Sequence, residues 1–116
     1  MNQKLCMNLH HTCVLVADVA EAFHRYEMLL GLHGELFGDY AIMRCMHEDY
    51  CLVLRDADGQ KPFLDYVAYE LESGLSLDAA EAELVRRGAT PERVAVPLRG
   101  EGLRLTDPDG NRVVLV

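Results

Sequence analysis

Basic residues are in short supply: 11 Lys and Arg stand against 19 Asp and Glu, for a formal charge of -8. Such a surface repels phosphate backbones and anionic lipid headgroups, so neither nucleic acid nor a membrane is an expected partner. Long apolar runs are missing too. A membrane-spanning helix needs roughly 20 consecutive apolar residues, and the sequence has no such stretch; its opening, MNQKLCMNLHH, also lacks the apolar core of a signal peptide. The cytoplasm is the expected compartment. Closely spaced cysteine pairs are absent as well, because Cys6, Cys13, Cys45 and Cys51 are scattered through apolar, strand-like sequence. That spacing fits neither a zinc knuckle nor a redox motif. The four read as buried or half-buried free thiols serving as small hydrophobes.

What is present is enough apolar sequence for one core: half of the 116 residues are apolar, and a chain of this length can form a single domain over 1–116 without staples. Leu9 to Val16, LHHTCVLV, reads as a strand. Asp18 and Glu21 have the acid-x-x-Glu spacing of a helix start. Ala22, Phe23, Tyr26, Leu29 and Leu30 then recur at three- and four-residue steps, so one helix face should pack on a sheet, with Gly31 as a left-handed cap. Leu36-Phe37, Tyr40 to Met46 and Tyr50 to Arg55 read as short strands, separated by Gly38-Asp39 and by His47-Glu48-Asp49. The polar segment from Asp56 to Pro62 reads as a linker.

The plan then repeats. Leu64 to Leu71, LDYVAYEL, is a strand; Ser76 caps a helix that presents Leu77, Ala80, Leu84 and Val85 and ends at Gly88. Arg93 to Pro97, Gly102 to Thr106 and Asn111 to Val116 follow as strands, the last two joined by the turn Asp107-Pro108-Asp109-Gly110. His11 and Tyr66 lie 66 − 11 = 55 residues apart, while Gly31 and Gly88 are separated by 57, so the halves hold register to within two residues. The expectation is an α+β fold of two βαβββ units, about 8–55 and 63–116, whose curved mixed half-sheets surround a ligand cleft with helices outside.

LHHTCVLVADVAEAFHRYEMLLGL, AIMRCMHEDYCLVLR, LDYVAYEL and LRLTDPDGNRVVLV, in this order, give the chain a resemblance to the vicinal-oxygen-chelate superfamily of glyoxalases, bleomycin resistance proteins and extradiol dioxygenases. It is most similar to the amino-terminal domain of the extradiol enzymes. The resemblance implies a metal site in which a divalent ion, often iron(II), is held by a His on the first strand, a His on the fifth and a Glu on the last. His11 stands at the first of these positions. Tyr66 and Val114 stand at the other two, and the fourth strand, where some members add a Glu, has no carboxylate between Cys51 and Leu54. One imidazole does not hold an open-site metal against water and metabolites. In two-domain extradiol enzymes the amino-terminal domain shows this same loss, and the chain resembles that metal-free half.

The candidate ligand pocket comprises His11, Cys13, Tyr66, Ala68 and Val114, with His11 as an isolated metal candidate. His47-Glu48-Asp49 reads as a solvated hairpin tip, His24 and His33 as helix-associated imidazoles, and Arg86-Arg87 as charge at a helix terminus. The expected function is binding of a small aromatic or apolar ligand with no cofactor. The alternatives are an active iron(II)- or other metal-dependent dioxygenase with an unconventional site, a drug-sequestering resistance protein, or an accessory subunit of a split dioxygenase. A homodimer, or a pair with a related chain, is expected because the first and fifth strands carry apolar residues on both faces.

Overall fold

The computed structural model describes residues 3–45 and 49–116. In chain order the elements are β1 (Cys6–Val16), α1 (Val19–Leu30), β2 (His33–Leu36), β3 (Tyr40–Arg44), β4 (Leu52–Asp56), β5 (Phe63–Leu71), α2 (Leu77–Arg86), β6 (Glu92–Val96), β7 (Gly100–Thr106) and β8 (Arg112–Leu115). The fold is α+β with two βαβββ units. The chain divides into one compact unit of residues 11–65 and another that joins the residues up to His10 with Tyr66–Val116. β1 therefore gives its second half to one unit and its first half to the other.

In the unit of residues 11–65 the strands lie in the order β2-β3-β4-β1, with β1 parallel to β4 and the other neighbours antiparallel. Asp18 caps α1, its carboxylate accepting from the Glu21 N–H at 3.1 Å. Gly31 ends the helix at φ 70°, a left-handed conformation that glycine adopts without steric cost, and its N–H reaches the Glu27 carbonyl. Val19 and Phe23 bury one helix face against Ala41, Met43, Leu52 and Leu54. Leu29 and Leu30 correct the expected stripe, for they are 67% and 64% exposed. The packed cluster reaches Tyr26 and Leu32 but neither leucine, so the last helical turn overhangs the residues that cover the first two.

β2 begins at His33, earlier than expected. The turn is closed by the Phe37 N–H on the Tyr40 carbonyl, so β3 can pair only with the residues upstream of it, Leu36 with Ala41 back to His33 with Arg44. β3 and β4 pair up to Met43 and Leu52. That register sets the Cα atoms of Cys45 and Cys51 6.1 Å apart, within bridging range, and the two form a disulfide. The expectation of four free thiols is thus corrected: a six-residue spacing that looked unpaired in sequence spans a hairpin tip. Cys6 and Cys13 take no part in a disulfide. His47 and Glu48 of the proposed tip lie outside the described residues, and Asp49 is exposed.

In the other unit the order is β1-β5-β8-β7-β6, with β5 parallel to β8 and with β7 antiparallel to both β8 and β6. The Ser76 hydroxyl caps α2 by accepting from the Ala79 N–H at 3.1 Å. Ala80 and Leu84 pack on Leu5, Leu71, Leu103 and Leu115. Val85 lies one residue, about 100°, off that stripe and is exposed rather than packed. The Asp107 carboxylate organises the β7–β8 turn by accepting from the Asp109 and Asn111 N–H groups.

Hydrogen bonds from Arg86 and Arg87 at the end of α2 pull the Glu83 carboxyl from its ordinary 4.5 down to about 2. A depressed carboxylate contributes stability that is complete above its unfolded pKa and is lost as pH falls through the folded value. Between pH 4.5 and 2, then, the melting temperature of Glu83→Gln should fall less steeply than that of the parent chain. Equal slopes in acid melts would show that the pair contributes nothing.

Candidate functional site

β1 points His11 and Cys13 to one face by the two-residue alternation of a strand. Both are buried, His11 at 1% exposure. Cys13 stands across from Val53 on β4, and Val53 across from Ile42 on β3, forming a fully buried row on the face away from α1. The His11 ring lies 4.8 Å from that of Tyr50, at an interplanar angle of 49°. Tyr50 is 2% exposed and is set in place by its neighbour: the Cys51 N–H donates to Met43 and the Cys51 carbonyl accepts from Thr12. Tyr50 was legible in sequence only as the first residue of a strand. Because β4 starts at Leu52, Tyr50 instead lies outside the ladder and turns its ring onto His11.

The remaining candidates belong to the other unit. Ala68 pairs with Val114, Val114 with Arg104, and Arg104 with Glu92. Directly paired residues share a face, so these four form a row across β5, β8, β7 and β6, with Tyr66 on the same face two residues before Ala68. Tyr66, Ala68 and Val114 are buried. Arg104 binds Glu92 at 3.0 Å, and its Nε is buried with no hydrogen-bond partner among the described residues. Sequence reasoning missed Arg104, whose place beside Val114 depends on the β7–β8 register.

Gly102 lies two residues before Arg104 on this face. A Cβ there would stand 2.8 Å from the Leu115 carbonyl oxygen, 2.8 Å from a Val96 methyl and 3.0 Å from a Val114 methyl. Overpacking of this kind costs about 1–3 kcal/mol, so Gly102→Ala should lower the denaturant midpoint accordingly. An unchanged midpoint would mean that Val96 and Val114 yield freely.

The donor set does not suit a divalent ion. Val114 has no donor atom, and the strand spacing of about 5 Å sets the Arg104 backbone beside it with a like charge on the same face. Among the described residues no group of three or more His, Cys, Asp or Glu side chains is arranged to hold a metal. His24 is exposed and pairs with Glu27 at 3.8 Å, and His33 is exposed on β2. His10 lies 3.1 Å from Arg99, which in turn is 4.0 Å from Glu70.

Two βαβββ units with these strand orders give a fold similar to that of the vicinal-oxygen-chelate superfamily, and in particular to the amino-terminal part of an extradiol dioxygenase. Solved structures specify the likeness. Homoprotocatechuate 2,3-dioxygenase from Arthrobacter globiformis is similar at 28% identity and a TM-score of 0.78, over 95% of this chain and 35% of that one. Two variants of the Brevibacterium fuscum enzyme match at 25% and 26% identity, with TM-scores of 0.77 and 0.78, again over 95% of this chain and 32% of theirs. The chain thus spans about a third of the length of these dioxygenases. No protein-family model and no curated protein matches the sequence. No helix among the described residues is long and apolar enough to cross a membrane.

Proposed function

We propose that the chain binds a small aromatic ligand without a metal ion, through a pocket that draws on Tyr66, Ala68 and Val114. The observation that carries this reading is the row Ala68–Val114–Arg104: a buried valine stands where the resemblance would set a metal-ligating carboxylate, and its partner on β7 is an arginine. An arginine there disfavours a divalent cation and favours oxygen acceptors. Support for an aromatic ligand comes from the similarity to enzymes named for homoprotocatechuate.

The test is a thermal-shift screen of the chain against homoprotocatechuate and related aromatics, run together with elemental analysis. Stabilisation by an aromatic, with iron, manganese, zinc and nickel far below one per chain, is expected. Near-stoichiometric metal would overturn the reading in favour of an active metal-dependent enzyme. Including cationic drugs in the panel tests the resistance-protein alternative, to which the charge of -8 is suited.

A second reading concerns assembly. Met28, Leu29 and Leu30 form an exposed apolar end of α1, and the last two, with Ala22, Arg25 and Tyr26, line a groove of about 350 Å³. Exposed apolar surface of this kind supports pairing, either with a second copy or with a related catalytic chain. Light scattering at micromolar concentration should give twice the 13.0 kDa chain mass. A single-chain mass, with no metal-bearing chain co-purifying from the source cells, would exclude both forms of pairing.

A further inference from the structure

The row Ala68–Val114–Arg104–Glu92 across β5, β8, β7 and β6 opens step by step toward solvent. Ala68 and Val114 are buried, the Arg104 side chain is 33% exposed and that of Glu92 59%. Arg104 is thus the residue at which the packed apolar part of this face meets water. A guanidinium carries five N–H donors and no acceptor. Among the described residues Glu92 engages only one corner of it, Oε2 accepting from Nη2 at 3.0 Å, and the Nε donor is buried with no partner. A buried donor left unpaired is costly, and water does not reach this one. Its acceptor has to come from a group that enters the row.

We propose that Arg104 selects an aromatic carboxylate, taking the carboxylate on its guanidinium while the ring extends along Val114 and Ala68. This selection rests on the ligand-binding reading above and adds the charge that the ligand carries. A carboxylate presents two oxygens at the spacing of neighbouring guanidinium donors, so one group can accept from Nε and Nη2 together. Glu92 is its competitor for Nη2. Because the Glu92 side chain keeps most of its surface in water, it can give up that bond and be hydrated instead, whereas Nε has no such alternative. On a chain of formal charge -8 an anion is disfavoured by the field as a whole. A preference for acids over neutral aromatics therefore has to come from a local cation.

The experiment titrates the full, nitrogen-15-labelled chain with benzoate and phenylacetate and, in parallel, with the neutral amides benzamide and phenylacetamide. The acids should bind at least about tenfold more tightly than the amides, as expected for one charge-assisted pair. The Arg104 Nε–H resonance, identified by its loss in Arg104→Lys, should shift with the acids and stay in place with the amides. Arg104→Gln should abolish the preference for acids and leave amide binding intact. Glu92→Gln removes the competing charge and should tighten the acids by about threefold. If Arg104→Gln does not fold, as judged by circular dichroism, the acid-to-amide ratio and the Nε–H shift of the parent chain decide the matter. Equal binding of acids and amides would overturn the proposal and leave the aromatic-ligand reading standing. A preference for acids without an Nε–H shift would put the anion elsewhere and overturn it as well, and binding of neither class would overturn both readings.

Discussion

Phe23→Ala should lower the unfolding free energy by about 3–5 kcal/mol, whereas Leu29→Ala six residues later should change it by less than about 0.5 kcal/mol. Phe23 is 7% exposed and fills the contact of α1 with Ala41, Met43, Leu52 and Leu54, so truncation leaves a cavity that these strands cannot close. Leu29 keeps most of its surface in water and loses little on truncation. Denaturant titrations of the two variants check this, and similar costs for both would mean that the last turn of α1 is covered by packing that the described contacts lack.

The second large effect falls in the other unit. Leu103→Ala should cost about 2–5 kcal/mol and Val85→Ala less than about 0.5 kcal/mol, again by denaturant midpoint. Leu103 is fully buried between β8 and α2, touching the cluster of Leu5, Leu71, Ala80, Leu84 and Leu115. Val85 is the residue after Leu84 on α2 and points away from that cluster. A Val85 variant as damaging as Leu103→Ala would place the helix in a different rotation.

These pairs mark where the sequence was readable. Helix starts were legible because capping is local chemistry: Asp18 with Glu21, and Ser76 with Ala79, make the bonds that their spacing implies. The repeated strand–helix–strands plan was legible because those local signals recur at a nearly constant interval. Leu29, Leu30 and Val85 were misplaced because periodicity tells which face is apolar but not how far the opposing sheet extends along it. Cys45 and Cys51 were read as thiols because a six-residue spacing becomes a bridge only once the β3–β4 register is known.

The candidate site follows the same division. Val114 and Tyr66 were singled out through the resemblance, which sets them where its metal-dependent members carry ligands. Arg104 and Tyr50 could not be, because each reaches its neighbour through a pairing or a turn that no short string specifies. Arg104 pairs with Val114 in one unit, and the Tyr50 ring lies against His11 in the other.

The most direct test of the metal-free ligand reading is isothermal titration of the chelator-treated chain with homoprotocatechuate and a small panel of other aromatics, with and without added iron(II). The account predicts saturable binding to the metal-stripped chain, with a dissociation constant that iron(II) leaves unchanged. Binding that appears only after iron(II) is added would contradict it.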